Sequence, residues 1–171
     1  MVSVIGIIIS IALLSLGVLG DDRQLRREAQ RLTSLLAVAQ EEAVMQGREF
    51  GLELMLDSYR FVEYDAFQSR WIEVTSDDTF RARQLPEDVQ LELWLEDKIV
   101  LLKPEPQDMG DSSSPLQNSA KAYAPHVMIF SSGESTPFEL HVVRPDRQQS
   151  VAMRGDVTGT IEFIADGGLE R

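Results

Sequence analysis

The chain has no cysteine among its 171 residues, so neither a disulfide nor a thiolate metal site contributes to its stability or chemistry. That absence fits either side of a bacterial membrane and leaves the compartment open. Histidine is nearly as scarce. The two present, His126 and His141, have no second ligand at helical or turn spacing, and a metal site needs about three convergent ligands. They read as ordinary sheet residues, and no cofactor or metal is expected. The longest stretch without charge is the run Val2 to Gly20 (VSVIGIIISIALLSLGVLG), although the net charge is −12. All of that acidity therefore lies after position 20, and it argues against nucleic acid or anionic lipid as the main partner, since both would be repelled.

Proline is absent from Val2 to Gly47, and the whole stretch reads as one long helix. Its first part, residues 1–20, is apolar on every face. It spans about 28 Å at 1.5 Å per residue, close to the roughly 30 Å of a bilayer's hydrocarbon core, and predicts a transmembrane anchor. A cleaved signal peptide fits less well, because Val18 and Leu19 stand where a small-residue cleavage site would be needed. In residues 21–47 the pattern changes. Leu25, Ala29, Leu32, Leu36, Ala39 and Ala43 recur at steps of four and three, with Leu35 and Val38 widening the stripe. The charged residues Arg23, Arg26, Arg27, Arg31, Glu41 and Glu42 fall mostly off it. This amphipathic stalk has an apolar face that covers its own domain or packs on a neighbouring helix, and the sequence leaves both open. Gly47 is placed to end it as a left-handed cap.

From residue 48 to 171 the period becomes two. Phe50, Leu52, Leu54 and Leu56 share one strand face, and Asp57-Ser58 turns the chain into Tyr59–Tyr64. Arg70–Val74 follows as a third strand. Val89, Leu91, Leu93 and Leu95 alternate with polar residues, and Glu96-Asp97-Lys98 hands over to Ile99–Leu102. Residues 103–125 hold four prolines and a serine run with no period, which predicts a long, exposed, flexible loop. Strands resume at His126–Phe130, Phe138–Arg144, Val151–Arg154 and Thr160–Ile164. One helix followed by a run of antiparallel strands is an α+β arrangement of two packed sheets, not a βαβ nucleotide fold.

Catalytic signals are thin. Ser131-Ser132-Gly133-Glu134 lacks the Gly-x-Ser-x-Gly frame of a serine nucleophile, and a turn is the better reading. Asp108 and Asp111 beside Ser112–Ser114 do not have the spacing of a calcium loop. No glycine loop that would cradle phosphate is present.

Two segments carry more information. Gln40-Glu41-Glu42-Ala43 through Gly47 to Phe50-Gly51-Leu52, and Phe130-Ser131-Ser132-Gly133-Glu134-Ser135-Thr136-Pro137-Phe138, resemble the H-class minor pseudopilins of the type II secretion system, within the type IV pilin-like superfamily. Their order, the variable loop between them and the closing Gly159-Thr160 strand match as well. The resemblance implies a pilin-like fold, no catalysis, and a structural subunit of a short pseudopilus that exports folded proteins across the outer membrane. It also implies a single-pass inner-membrane protein with a periplasmic head. Its partners would be other minor and major pseudopilins and, as cargo, secreted proteins. Leu25, Leu32, Leu36, Ala39 and Ala43 would be its packing or assembly face. Such proteins begin with a basic leader, a glycine before the cleavage point, an N-methylated phenylalanine and a glutamate four residues later. Met1-Val2-Ser3 shows none of these, so the expected start lies upstream. The arginines after the anchor would by the positive-inside rule hold the head cytoplasmic, and its periplasmic placement follows from the resemblance alone. A type IV pilus minor pilin, or a membrane-tethered binding or enzymatic domain, is the alternative.

Overall fold

The structure is a computed structural model that describes residues 2–74, 77–104 and 123–164, with side chains described from residue 23 onward. Helix α1 runs from Val2 to Gln46, about 68 Å at 1.5 Å per residue. Along its stalk half Leu25, Ala29, Leu32, Leu36, Ala39 and Ala43 are each at most 2% exposed, and Leu35 joins them. Three of these six are alanines, which let the helix backbone approach the sheets closely. Val38 departs from expectation: it is 37% exposed, because it lies on the flank of the stripe that turns away from the sheets. At the end of the helix Gly47 adopts φ +64° and Arg48 N–H donates to the Ala43 carbonyl at 3.1 Å, satisfying one of the orphan acceptors. Among the residues whose side chains are described, from Arg23 onward, no helix is long and apolar enough to cross a membrane.

The strands that follow are β1 (Phe50–Leu54), β2 (Ser58–Asp65), β3 (Arg70–Glu73), β4 (Arg83–Gln84), β5 (Gln90–Leu95), β6 (Lys98–Val100), β7 (Val127–Ile129), β8 (Phe138–Arg144), β9 (Gln149–Gly155) and β10 (Ile161–Ile164). One sheet has the order β3-β2-β1-β7, with β4 also paired to β2; the other has the order β10-β9-β8-β5-β6. All their pairings are antiparallel. Leu91, Val142 and Val151 stand opposite one another across β5, β8 and β9, as do Leu93, Leu140 and Met153. These rows meet Phe50, Leu52 and Phe61 of the first sheet and the stripe of α1 in one core. At Glu96 and Asp97 φ is +51° and +61°, the left-handed pair that matches the twist of a two-residue hairpin.

Periodicity did not reveal the segment between β3 and β4. Asp77 accepts from the Thr79 N–H at 2.8 Å and starts a 3-10 turn, Asp78–Phe80. That turn inserts Phe80 between Phe50 and Phe61, with ring centroids 5.4 and 5.2 Å away. One aromatic in a polar stretch has no period to detect.

Of the loop expected over 103–125, residues 105–122 lie outside the described residues, and with them Asp108, Asp111 and Ser112–Ser114. Both described ends are tied down. The Lys103 carbonyl accepts from Leu56 N–H at 2.9 Å, and His126 N–H donates to the Leu52 carbonyl at 2.9 Å. Tyr123 to Pro125 crosses the outer face of the first sheet. A Cβ on Gly51 would come within 2.5 Å of Pro125, so the close crossing requires glycine there. Near the start of the stalk Arg144, 1% exposed, donates to Gln24 at 3.2 Å. Its Nε lies 2.6 Å from Asp88, an ion pair off the line of a good hydrogen bond.

Candidate assembly surface

The two segments singled out in the sequence meet in space. Gln40, on the stalk, sends its amide N–H groups to the Gly133 carbonyl at 3.0 Å and the Thr158 carbonyl at 3.3 Å. A Cβ on Gly159, whose φ is +79°, would collide with that amide at 1.7 Å. The helix is thus fastened to the Phe130–Thr136 turn and to the turn before β10 through one side chain. The Phe130–Thr136 turn closes on itself through Phe130 N–H to the Glu134 carbonyl and Gly133 N–H to the Phe130 carbonyl, both 2.9 Å. Gly133 takes φ +90° to do so. Thr136 pairs with Met128 through backbone and hydroxyl, and Ser135 reaches Asp156 and Val157. Phe138, 4% exposed, then enters the core, and Pro137 stays exposed as the chain passes from the first sheet to the second. The segment is a joint between sheets. Among the described residues Ser132 Oγ donates to the Glu134 carboxylate and accepts from the Glu134 N–H, both at 3.4 Å, within the turn.

The apolar stripe of Leu25, Leu32, Leu36, Ala39 and Ala43 is spent on the head itself, mainly against β8, β9, β1 and β7. The free surface of the stalk is the opposite face: Arg23, Arg27, Ser34, Ala37, Val38, Glu41, Val44 and Met45 are exposed, with Glu42 at its margin. It is basic toward the amino end and acidic toward the carboxyl end.

Titratable groups cluster on the outer sheet faces. On the second sheet His141 Nε2 sits 2.8 Å from Glu139, and Arg154 reaches the other carboxylate oxygen at 2.6 Å. These two hydrogen bonds, His141 first, hold the Glu139 carboxyl below the usual carboxylate range. Trp94 lies against the imidazole with centroids 4.4 Å apart. On the first sheet Glu53 and Arg60 form a buried pair at 2.6 Å under the Tyr123 ring. Among the described residues no group of three or more histidine or acidic side chains is placed to hold a metal ion.

His126 is one polar residue whose protonation bears on stability. Its Nδ1 accepts from Leu54 N–H at 3.2 Å, which only the neutral ring can do, and burial lowers its pKa below the ordinary value, with Glu53 opposing. The fold therefore keeps this contribution in full above about pH 6.5 and loses it as pH falls through the depressed native value. His126→Gln is expected to flatten the corresponding part of the melting temperature profile between about pH 7 and pH 5. Identical profiles for variant and parent would refute the assignment.

A profile of the family described as "Type II transport protein GspH" matches residues 28–159, from the stalk to the glycine beneath Gln40. The chain is 33% identical over 164 residues to type II secretion system protein H of Pseudomonas aeruginosa, covering 96% of this chain and 84% of that one. It is 28% identical to the protein of the same description from Aeromonas hydrophila, covering 94% and 86%. In fold it is similar to the minor pseudopilin EpsH of Vibrio cholerae in two solved structures. One has a TM-score of 0.63 at 23% identity, covering 84% of this chain and 98% of that one. The other has a TM-score of 0.62 at 25% identity, covering 85% and 96%. The matched span contains the buried stripe, the Gln40 clasp and the joint between sheets, and the chain belongs to the GspH family, the H-class minor pseudopilins that are structural subunits of the type II secretion pseudopilus.

Proposed function

We propose that this subunit is held in the bacterial inner membrane by the uncharged run Val2 to Gly20, presents its head to the periplasm, and joins other minor and major pseudopilins through the exposed face of its stalk without catalysing a reaction. One observation carries the reading. The helix runs unbroken from Val2 to Gln46, and the head consumes only one of its faces, so a second face from Arg23 to Met45 is left for neighbours. The apolar run supports the anchor by its length and lack of charge. The polar groups that could suggest an enzyme are engaged in structure: His126 in a strand contact, His141 in an ion network and Ser132 in a turn. Neither a type IV pilus subunit nor a tethered enzyme is favoured by the family match.

In cells lacking the chromosomal copy, Val38→Glu is expected to cut secretion of a reporter protein at least about tenfold. The melting temperature of the purified full chain should stay within a degree or two, since exposed substitutions cost roughly 0.5 kcal/mol or less. Alanine at His126, His141 or Ser132 should leave secretion largely intact. Loss of secretion from those three changes in a stably folded chain would overturn the structural reading and revive the enzymatic one.

A further inference from the structure

Phe67 is fully exposed, at 103% of its reference area, yet it is not on a loose loop. Asp65 Oδ1 accepts from the Phe67 and Gln68 N–H groups at 2.9 and 3.1 Å, and its Oδ2 accepts from the Gln68 amide at 2.6 Å. Ser69 closes the turn at φ +51°. The chain thus orders a turn that holds an aromatic ring in water, where it packs on nothing among the described residues. Beside it lies an open groove of about 510 Å³ between this turn and the carboxyl end of α1, lined by Gly47, Arg48, Glu49, Glu63, Asp65 and Phe67 among others. Arg48 is already committed, with both its Nε and Nη2 on Glu63 and its Nη1 on Gln46. Glu49 makes no ion pair among the described residues, and the exposed Glu41 and half-exposed Glu42 stand on the neighbouring last turns of the helix. The helix's own carboxyl end adds partial negative charge.

An aromatic face in a groove with one unneutralised carboxylate, Glu49, is a pairing that receives a guanidinium, which stacks on the ring and hydrogen-bonds the acid in a planar fork. The complementary surface exists on this very type of chain. Arg23 and Arg27 are exposed on the free face of the stalk and make no ion pair among the described residues, whereas Arg31 beside them, half exposed, already pairs with Glu28 at 2.9 Å. They lie about 30 Å from the groove along the helix axis. With acid at one end of the helix and arginine at the other, a contact between them is heterologous and directional, one subunit following the next.

We infer that this groove, anchored by Phe67, receives the arginine-bearing stalk of a second pilin-like subunit. The inference deepens the assembly reading and rests on it. It is tested with p-benzoylphenylalanine at position 67 of the full chain, in cells where that chain restores secretion to a deletion strain. The expected result is a photocrosslink to a pilin-like subunit, mapped to an arginine-containing peptide of its helical stalk. Glu49→Arg should lower crosslink yield at least about tenfold, by reversing the charge that draws the guanidinium, and Phe67→Ala should reduce secretion without changing the melting temperature of the purified chain. A crosslink to the stalk of a second copy of this chain fits the inference equally. Absence of a crosslink while secretion is restored, mapping to a head domain or to lipid, or insensitivity to Glu49→Arg would each overturn it. If deletion of the gene left secretion intact while the stalk crosslink remained, the secretion reading would fail and the contact would stand.

Discussion

Leu32→Asp is expected to abolish the cooperative thermal transition of the head. Leu32 is 1% exposed and sits in the middle of the stripe that meets both sheets. Removing its side chain costs about 2–5 kcal/mol by cavity formation alone, and an unpaired carboxylate in that position adds a penalty of several more. Domains of this size have only about 5–15 kcal/mol in total. Leu36→Asp, at 2% exposure, should behave alike. Leu32→Met, which conserves volume, should cost less than about 1.5 kcal/mol, and Ser34→Asp on the wet face about 0.5 kcal/mol or less. Circular dichroism melts of the four variants decide the matter. An unchanged transition in Leu32→Asp would mean that the head does not depend on its stalk.

Arg60→Met is expected to destabilise the protein by about 3–5 kcal/mol, the usual cost of breaking a buried ion pair from one side. Glu53 is 1% exposed and Arg60 8%, and Glu53 Oε1 already lacks a hydrogen-bond partner, so the carboxylate has nothing to replace the guanidinium. The loss of the Arg60 stack on Tyr123, 4.1 Å from the ring centroid, would also loosen the crossing segment over Gly51. Adding Glu53→Gln should recover much of the loss, because the stranded charge is then gone. Urea unfolding of single and double variants gives the comparison. If the double variant is no more stable than Arg60→Met, packing of the arginine stem rather than the charge is what matters.

How much of this was legible beforehand depended on whether a residue's role is periodic. Leu25 to Ala43 at steps of three and four announced a buried helix face, and Leu91, Leu93, Leu140 and Val142 announced strands, because 3.6 and 2 are local backbone constants. Gly47 was readable as a cap for the same reason. Val38 was misjudged at the margin of the stripe, where the width of the face depends on how the sheets curve under it. Phe80 and β4 were missed, since one aromatic and two paired residues leave no period. Gln40 appeared among the family residues, but nothing local said that its amide would hold two turns more than ninety residues away. Phe67 gave no signal at all, because the exposure of an aromatic is a property of the finished surface.

The sequence by itself determined the class of the molecule. An uncharged run passing into an amphipathic helix, then alternating strands, specifies a helix-led α+β arrangement. Those are statements about which side chains share a face, and local geometry decides them. Only the tertiary structure decided which face of the stalk is spent and which is free. The stripe could as well have met a neighbour, and it took the packing of two sheets against Ala29, Ala39 and Ala43 to consume it and leave Arg23 to Met45 outside. Burial depends on what arrives from elsewhere in the chain, and no periodicity encodes that.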